Sequence, residues 1–420
     1  MIQQNYPILY RGSVKDVLGP IPTETKSGTK SAVVFHYTDS FSVFDWGRMP
    51  DSLEQKGQAL AMIAAHWFEK LEAPETWREF SRTPEALALR KGSRFGAAFN
   101  ELGERFQENG LRTHYLGVID DAGNSIQLKD ATAPVRHMAV REVSVVKPVL
   151  KTVLGRSLPD YFSTRNAPLP RLVPLEVVFR FGCPEGSSLI ERVRRDHEYM
   201  TSIGFPDFAV TPGQKWDFPV IELFTKLEAT DRPLGLSEAL AITGLSAEQL
   251  QEILLSTAWV GGILKRLCAE RGLELADGKL EWGLDEGGHS FLVDAVGPDE
   301  LRLLRRTSSG DREVQLSKEF LRAFYRSTPW YTGVERAKRF AATAGSTEWK
   351  RMVNTPAPKL PENCRVVATQ LYQALANELT GRPWFPKAWS LEKVTEQANL
   401  IIAAVPAEVE PPQVNPDAAE

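Results

Sequence analysis

The chain has 420 residues, 42% of them hydrophobic and 25% charged, with a formal net charge of −4, so it is long enough for two or three packed units. That balance excludes a global basic field able to hold nucleic acid or an anionic membrane surface, and no run approaches the roughly 20 apolar residues that span a bilayer. Three scattered cysteines (Cys183, Cys268, Cys364) and six histidines without H-x-x-x-H or HExxH spacing exclude a disulfide framework and a structural zinc site.

The start, Met1 to Pro7, lacks the basic-then-apolar order of a secretory signal, so a cytoplasmic setting is expected. Short β-prone runs follow at Pro7–Leu9, Val14–Leu18 and Ser31–Tyr37, the first two separated by Gly12. Leu53–Leu71 has helical spacing, with Leu60, Ile63, Ala64, Trp67 and Leu71 on one face and Asp51 or Ser52 as a cap. Ile126–Val145 returns to β-like patterning. Pro159–Pro174 reads as a long surface connection, Val173–Phe181 as a buried strand, and Gly182–Ser188 as a Gly-Ser turn. Ser237–Arg271 is helical, with a capping box at Ser246 to Gln249. Leu273–Val296 is a β-hairpin. Helices dominate from Ser317, including Glu362–Thr380, which stops at Gly381 and Pro383. Val405–Glu420 holds four acidic residues, four prolines and no basic residue, the composition of a disordered tail.

The hairpin carries the densest chemistry. Alternation puts Asp277, Lys279 and Glu281 on one face and Leu280, Trp282 and Leu284 on the other. A turn centred on Glu286-Gly287, pairing Asp285 with Gly288, places Lys279 opposite Asp294 and Glu281 opposite Leu292. The face so formed is either a solvated, salt-bridged surface or a hard-cation site, since magnesium binds through one or two carboxylates plus phosphates and a nearby lysine neutralises phosphate oxygens. Two weaker candidates accompany it. Arg180 ends a strand that leads into Ser187 and Ser188, which suits either a phosphate monoester or an ordinary turn. Gly12 and Lys15 form either a phosphate-covering turn or a plain hairpin, and Lys226 alone reads as a surface lysine.

Taken in order, these segments resemble the SAICAR synthetase (phosphoribosylaminoimidazole-succinocarboxamide synthase) family from about Leu9 to Gly381, interrupted in the 150s to 160s. The resemblance is carried by Leu9-Tyr10-Arg11-Gly12 with Val14-Lys15-Asp16, by Tyr37-Thr38-Asp39-Ser40-Phe41 through Asp45, and by Lys56-Gly57. Pro174-x-Glu176 through Arg180 with Gly186-Ser187-Ser188 continues it. Asp277-x-Lys279-x-Glu281-x-Gly283, Asp294, Asp299 and Arg302, and a closing helix from Leu360-Pro361-Glu362 to Leu379-Thr380-Gly381, complete it.

The resemblance implies an α+β fold in which a small antiparallel β-lobe stands over a larger mixed lobe with ATP between them. It implies a nucleotide-covering unit over 1–145, a central unit with ribotide and metal sites over 146–310, a helical part over 311–404 and the tail over 405–420. The implied activity is an ATP- and Mg2+-dependent joining of a carboxylated aminoimidazole ribotide to L-aspartate, within purine biosynthesis. Gly12, Lys15 and Lys226 would then hold ATP, Glu281 and Asp294 magnesium, and Arg180, Ser187 and Arg302 the ribotide phosphate. Asp277 and Lys279 would orient the reacting groups. Small-molecule substrates are implied, with no nucleic acid or membrane partner; an oligomer stays open.

Two positions depart from the family pattern. Ser13 stands where a lysine is usual, and Asp231-Arg232 stands where His-Asp is usual. Arg232 suits an extra substrate carboxylate, so a relative using another amine or carboxylate remains an alternative, as does a non-catalytic nucleotide-binding relative. A protein kinase is excluded by the lack of H-R-D-x4-N and D-F-G sets.

Overall fold

Runs of β-branched and aromatic residues broken by glycine and proline generate two antiparallel sheets, and the helices between them carry the longest apolar stripes. The computed structural model describes residues 6–25, 28–93, 95–184, 187–310, 312–344 and 348–405. Apart from Val405, the tail expected over 405–420 lies outside the described residues.

The first sheet holds β1 (Ile8–Arg11), β2 (Lys15–Thr25), β3 (Gly28–Tyr37), β4 (Tyr115–Ile119), β5 (Ser125–Ile126) and β6 (His137–Arg141), in the order β1-β2-β3-β6-β4-β5. Between β3 and β4 run α1 (Lys56–Glu72), α2 (Pro74–Ser81), α3 (Pro84–Gly92) and α4 (Gly96–Asn109). All five α1 residues expected on the apolar face are buried. The expected cap is not used: α1 starts after Gln55 in a left-handed conformation without a side-chain cap, and Asp51 instead accepts a hydrogen bond from the Leu360 N–H at 2.7 Å.

The span expected as a connection contains a separate hairpin, β7 (Val149–Val153) with β8 (Arg156–Asp160), and a short helix α5 (Phe162–Arg165). Its apolar side chains stay in water, and Leu154 at the tip is 99% exposed. An inward/outward alternation had nothing to report there, which is why the strands were not legible.

The second sheet contains β9 (Arg171–Gly182), β10 (Lys215–Thr225), β11 (Pro233–Leu234), β12 (Glu274–Leu284), β13 (Ser290–Val293), β14 (Leu301–Arg306) and β15 (Glu313–Gln315). Its order is β11-β10-β9-β12-β14-β15, with β13 on β12. Two short helices, α6 (Ser188–Arg195) and α7 (Tyr199–Ser202), link β9 to β10. The expected helical span over 237–271 is two helices, α8 (Leu236–Thr243) and α9 (Ala247–Ala269), divided at Gly244 in the left-handed region. The capping box at Ser246 and Gln249 opens α9 as expected.

Helix α9 covers one face of the second sheet. Trp282 donates through Nε1 to Thr257 Oγ1 at 3.1 Å, and Trp259 stacks on Phe99 of α4 at 4.5 Å. Gly103 permits that stack, since a Cβ there would lie 2.4 Å from the Trp259 ring. The chain closes with α10 (Lys318–Arg326), α11 (Pro329–Ala344), α12 (Glu362–Thr380) and α13 (Leu391–Ala404), with α12 packed on α1. Each cysteine is buried in a different place: Cys183 just after β9, Cys268 in α9 and Cys364 in α12. No described helix is long and apolar enough to cross a membrane.

Candidate active site

The face of the second sheet turned away from α9 carries the polar residues. Period-two alternation presents Asp277, Lys279 and Glu281 of β12 there, as expected. The antiparallel register sets Asp277 opposite Arg180, Lys279 opposite Val178 and Glu281 opposite Glu176 of β9. On the next strand, Glu222 stands beside Val178 and Phe224 beside Glu176.

Two facing glutamates repel unless cations separate them. Lys279 Nζ lies 2.7 Å from Glu176 Oε1 and 3.0 Å from Glu281 Oε1. Lys226, just past the end of β10, places Nζ 2.8 and 2.7 Å from the same two oxygens. Burial works against the Lys279 charge, but Glu281 and then Glu176 outweigh it and hold the ammonium well above its ordinary pKa. For the Glu176 carboxyl, burial is likewise outweighed, by Lys279 and Lys226, which lower it.

The β12–β13 turn differs from the expected one. Asp285 N–H donates to His289 O at 2.9 Å, so the loop holds three residues, Glu286-Gly287-Gly288, with Gly288 at φ 77°. Asp285 Oδ1 accepts from the N–H groups of Gly287 and His289, both at 2.9 Å, and this side-chain turn with the left-handed glycine stabilises the longer loop. The register therefore moves by one: Glu281 faces Val293, and Trp282 faces Leu292. Lys279 does not face Asp294 across the strands. Continued alternation would send Asp294 to the Trp282 side, but β13 ends at Val293 and Asp294 adopts φ 69°, leaving the strand path. Its Oδ1 lies 2.5 Å from Lys15 Nζ on β2, so the pair joins the two sheets. Burial raises the Asp294 carboxyl, but Lys15, Lys226 and Lys279 outweigh it and hold it well below the usual range.

Gly12 occupies the β1–β2 turn, where its N–H donates to Lys15 O at 3.0 Å and an added Cβ would lie 2.5 Å from that oxygen. Beside the turn, Arg48 donates from Nε to Gly12 O at 3.0 Å and pairs with Asp16. It supplies a positive charge near the position where Ser13 lacks one, and no motif marked it.

A second cluster lies toward the other end of the strands. Arg180 bridges Glu222 at 2.5 Å and Asp277 at 2.9 Å, while Arg192 reaches Glu222 at 2.7 Å and Arg302 Nε stands 3.5 Å from Asp277. The Tyr199 hydroxyl donates to Glu222 at 2.7 Å. The buried Ser187 Oγ and Arg302 Nε have no hydrogen-bond partner among the described residues. Buried polar atoms are rarely left so, and each is a donor that an anion supplied from outside would satisfy. Glu222 was missed in the sequence. Its signal was available, as a lone carboxylate inside the apolar run Phe218 to Phe224.

Arg232 does not join either cluster. It is 40% exposed and pairs with Glu238 at 2.5 Å and Glu228 at 3.3 Å. Burial, with Glu176 adding to it, raises the carboxyl of its neighbour Asp231. Among the described residues, no three His, Cys, Asp or Glu side chains form a group able to hold a metal.

The fold and site define an α+β protein whose polar sheet face carries lysine, carboxylate and arginine side by side. A sequence model described as SAICAR synthetase matches residues 8–148 and 163–337. The gap between the two matched parts falls on the β7–β8 hairpin. A protein of Archaeoglobus fulgidus that carries the name phosphoribosylaminoimidazole-succinocarboxamide synthase provisionally is 33% identical over 398 residues, 93% of this chain and 99% of that protein. The synthase of that name from Thermoplasma acidophilum is 27% identical over 382 residues, 90% of this chain and 99% of its own. Two solved structures share the fold: one described as SAICAR synthase (TM-score 0.53, 17% identity) and one from Saccharomyces cerevisiae complexed with SAICAR (TM-score 0.52, 18% identity). Each match covers 92% of this chain and 98% of that structure. The chain belongs to the SAICAR synthetase family.

Proposed function

We propose that the protein is an ATP-dependent carbon–nitrogen ligase that condenses 5-amino-1-(5-phosphoribosyl)imidazole-4-carboxylate with L-aspartate, giving the succinocarboxamide, ADP and phosphate. The observation that carries this reading, beside family membership, is the pair of lysines sharing Glu176 and Glu281 next to the Lys15–Asp294 contact. Three ammoniums and three carboxylates packed together give a preorganised field for phosphoryl transfer, where positioning and charge neutralisation do most of the work.

In this reading the ribotide carboxylate oxygen takes the γ-phosphoryl and ADP leaves. The amine nitrogen then attacks the activated carbon, phosphate departs and the amine proton is released. Gly12, Lys15 and Lys226 hold the nucleotide phosphates, while Asp277 and Lys279 orient the carboxylate and the γ-phosphoryl. Ser187, Arg302 and Arg180 receive the ribotide phosphate, supported by the buried Ser187 Oγ and Arg302 Nε, which have no hydrogen-bond partner among the described residues.

The donor set fits a magnesium ion that arrives with the nucleotide. Its ion pairs engage Oε1 of Glu281 and Oδ1 of Asp294, so each carboxylate keeps a second oxygen for a cation that normally takes one or two protein carboxylates plus phosphates and water. Bound there, it would offset charge on the transferred phosphoryl. Arg232 is left out of the substrate set because it stands apart from both clusters, 40% exposed and paired with Glu228 and Glu238.

The test is ADP release with ATP, ribotide and amine omitted in turn. Sustained release over many turnovers should need all three, and L-aspartate should lead a panel of amino acids. Sustained release without any amine, or no release with all three present, would overturn the reading.

A further inference from the structure

Asp294 and Arg302 stand at the two ends of one connection and serve the two clusters of the site, so its placement sets their spacing. The backbone pins part of it: Glu300 and Leu301 donate to Gly297 O at 3.0 and 2.9 Å, and Lys279 N–H donates to Glu300 O at 3.0 Å. What fixes its middle to the helices is Asp299. Its Oδ2 lies 2.7 Å from Lys56 Nζ at the start of α1, and its Oδ1 accepts from the Tyr372 hydroxyl on α12 at 2.6 Å. Lys56 is 0% exposed and sits 4.8 Å above the Tyr372 ring. A buried carboxylate must have its lone pairs met, and a buried ammonium must have its charge met. Each of the three groups is therefore held by the other two. Tyr372 also lies beyond residue 337, where the match to the family model ends, and none of its contacts here is with the Lys226–Lys279 cluster.

We propose that Tyr372, together with Lys56, is a positioning residue for the 294–302 connection, acting through Asp299 to hold Asp294 and Arg302 at their working separation. The helical C-terminal part is thereby a component of the active site. This inference rests on the ligase reading for its kinetic consequences, but its structural part does not.

The test is Tyr372→Phe, which removes one hydroxyl and keeps the ring over Lys56. Tyr325→Phe serves as control, because that hydroxyl bonds only to Pro358 O at 3.2 Å among its described hydrogen bonds. In the ligand-free protein, amide hydrogen exchange over 294–301 should quicken at least about tenfold in Tyr372→Phe, the lower end of what loss of one hydrogen bond to a charged group gives. Exchange in β9 and α9 should be unchanged. In turnover, the KM values for ATP and for the ribotide should both rise several-fold while that for the amine holds. A merely structural role would lower kcat by the unfolded fraction and leave every KM alone. Unchanged exchange over 294–301, or acceleration equal across the whole chain, overturns the inference. If the wild-type enzyme shows no substrate-dependent ADP release, the ligase reading fails, and the exchange measurement still decides the positioning claim.

Discussion

Lys226 and Lys279 bind the same two carboxylate oxygens, one from the loop after β10 and one from the middle of β12. Without them the two carboxylates would face each other unshielded, so each lysine supports both strands as well as the chemistry. Lys279→Met should lower kcat/KM by at least about a hundredfold, the scale of losing one preorganised group at the transferred phosphoryl. Lys279→Arg should recover little, since a planar guanidinium does not reproduce a point charge shared by two oxygens. Steady-state ADP release measures both, and near-normal turnover in Lys279→Met would remove this lysine from the chemistry.

Glu222 is 0% exposed and neutralises Arg180 and Arg192 together. Burial alone would raise its carboxyl, but Arg180 and then Arg192 outweigh that and lower it. Glu222→Ala leaves Arg192 without its anion and Arg180 with Asp277 alone, and should lower stability by about 3–5 kcal/mol, read from the urea midpoint. Tyr199→Phe should cost far less, because the charges stay paired.

Glu72 shows the opposite linkage. Burial pushes its carboxyl up to about 7, against the Thr113 hydrogen bond and with help from Glu69. Between pH 4.5 and about 7 the folded state keeps a proton that the unfolded state has released, so this group makes stability fall as pH rises. Glu72→Gln removes that penalty. Its stability relative to wild type should grow by at most roughly 1.4 kcal/mol for each pH unit crossed in that window and level off above it. Parallel urea titrations at several pH values would reveal a flat difference if Glu72 is ordinary.

Gly12→Ala should raise the KM for ATP by about tenfold or more with a smaller change in kcat, because the added methyl meets the Lys15 carbonyl that closes the turn. Binding of ADP by calorimetry should weaken in parallel. Unchanged nucleotide affinity would place the turn away from the phosphates.

The faces of β12 were legible because alternation between Trp282 and Glu281 is strict. The register was not, because it depends on one residue of loop length, and Asp285 can close either turn on paper. Asp294 still reaches the site through its left-handed backbone, which strand periodicity does not encode. The Lys226 role was invisible locally, since its partners come from strands 50 and 55 residues away. The β7–β8 hairpin escaped notice because both of its faces meet water. The burial of α1 and the capping box of α9 were plain from spacing alone, as local patterns are.

The three thiols give the molecule built-in reporters. Cys183, Cys268 and Cys364 are each at most 1% exposed, and burial pushes the thiols of Cys268 and Cys364 up to about 12. An alkylating reagent reaches almost none of the three sulfurs until the surrounding structure opens. One mass-spectrometric time course would therefore clock the breathing of the second sheet, of its covering helix and of the C-terminal helices separately, with no engineered probe.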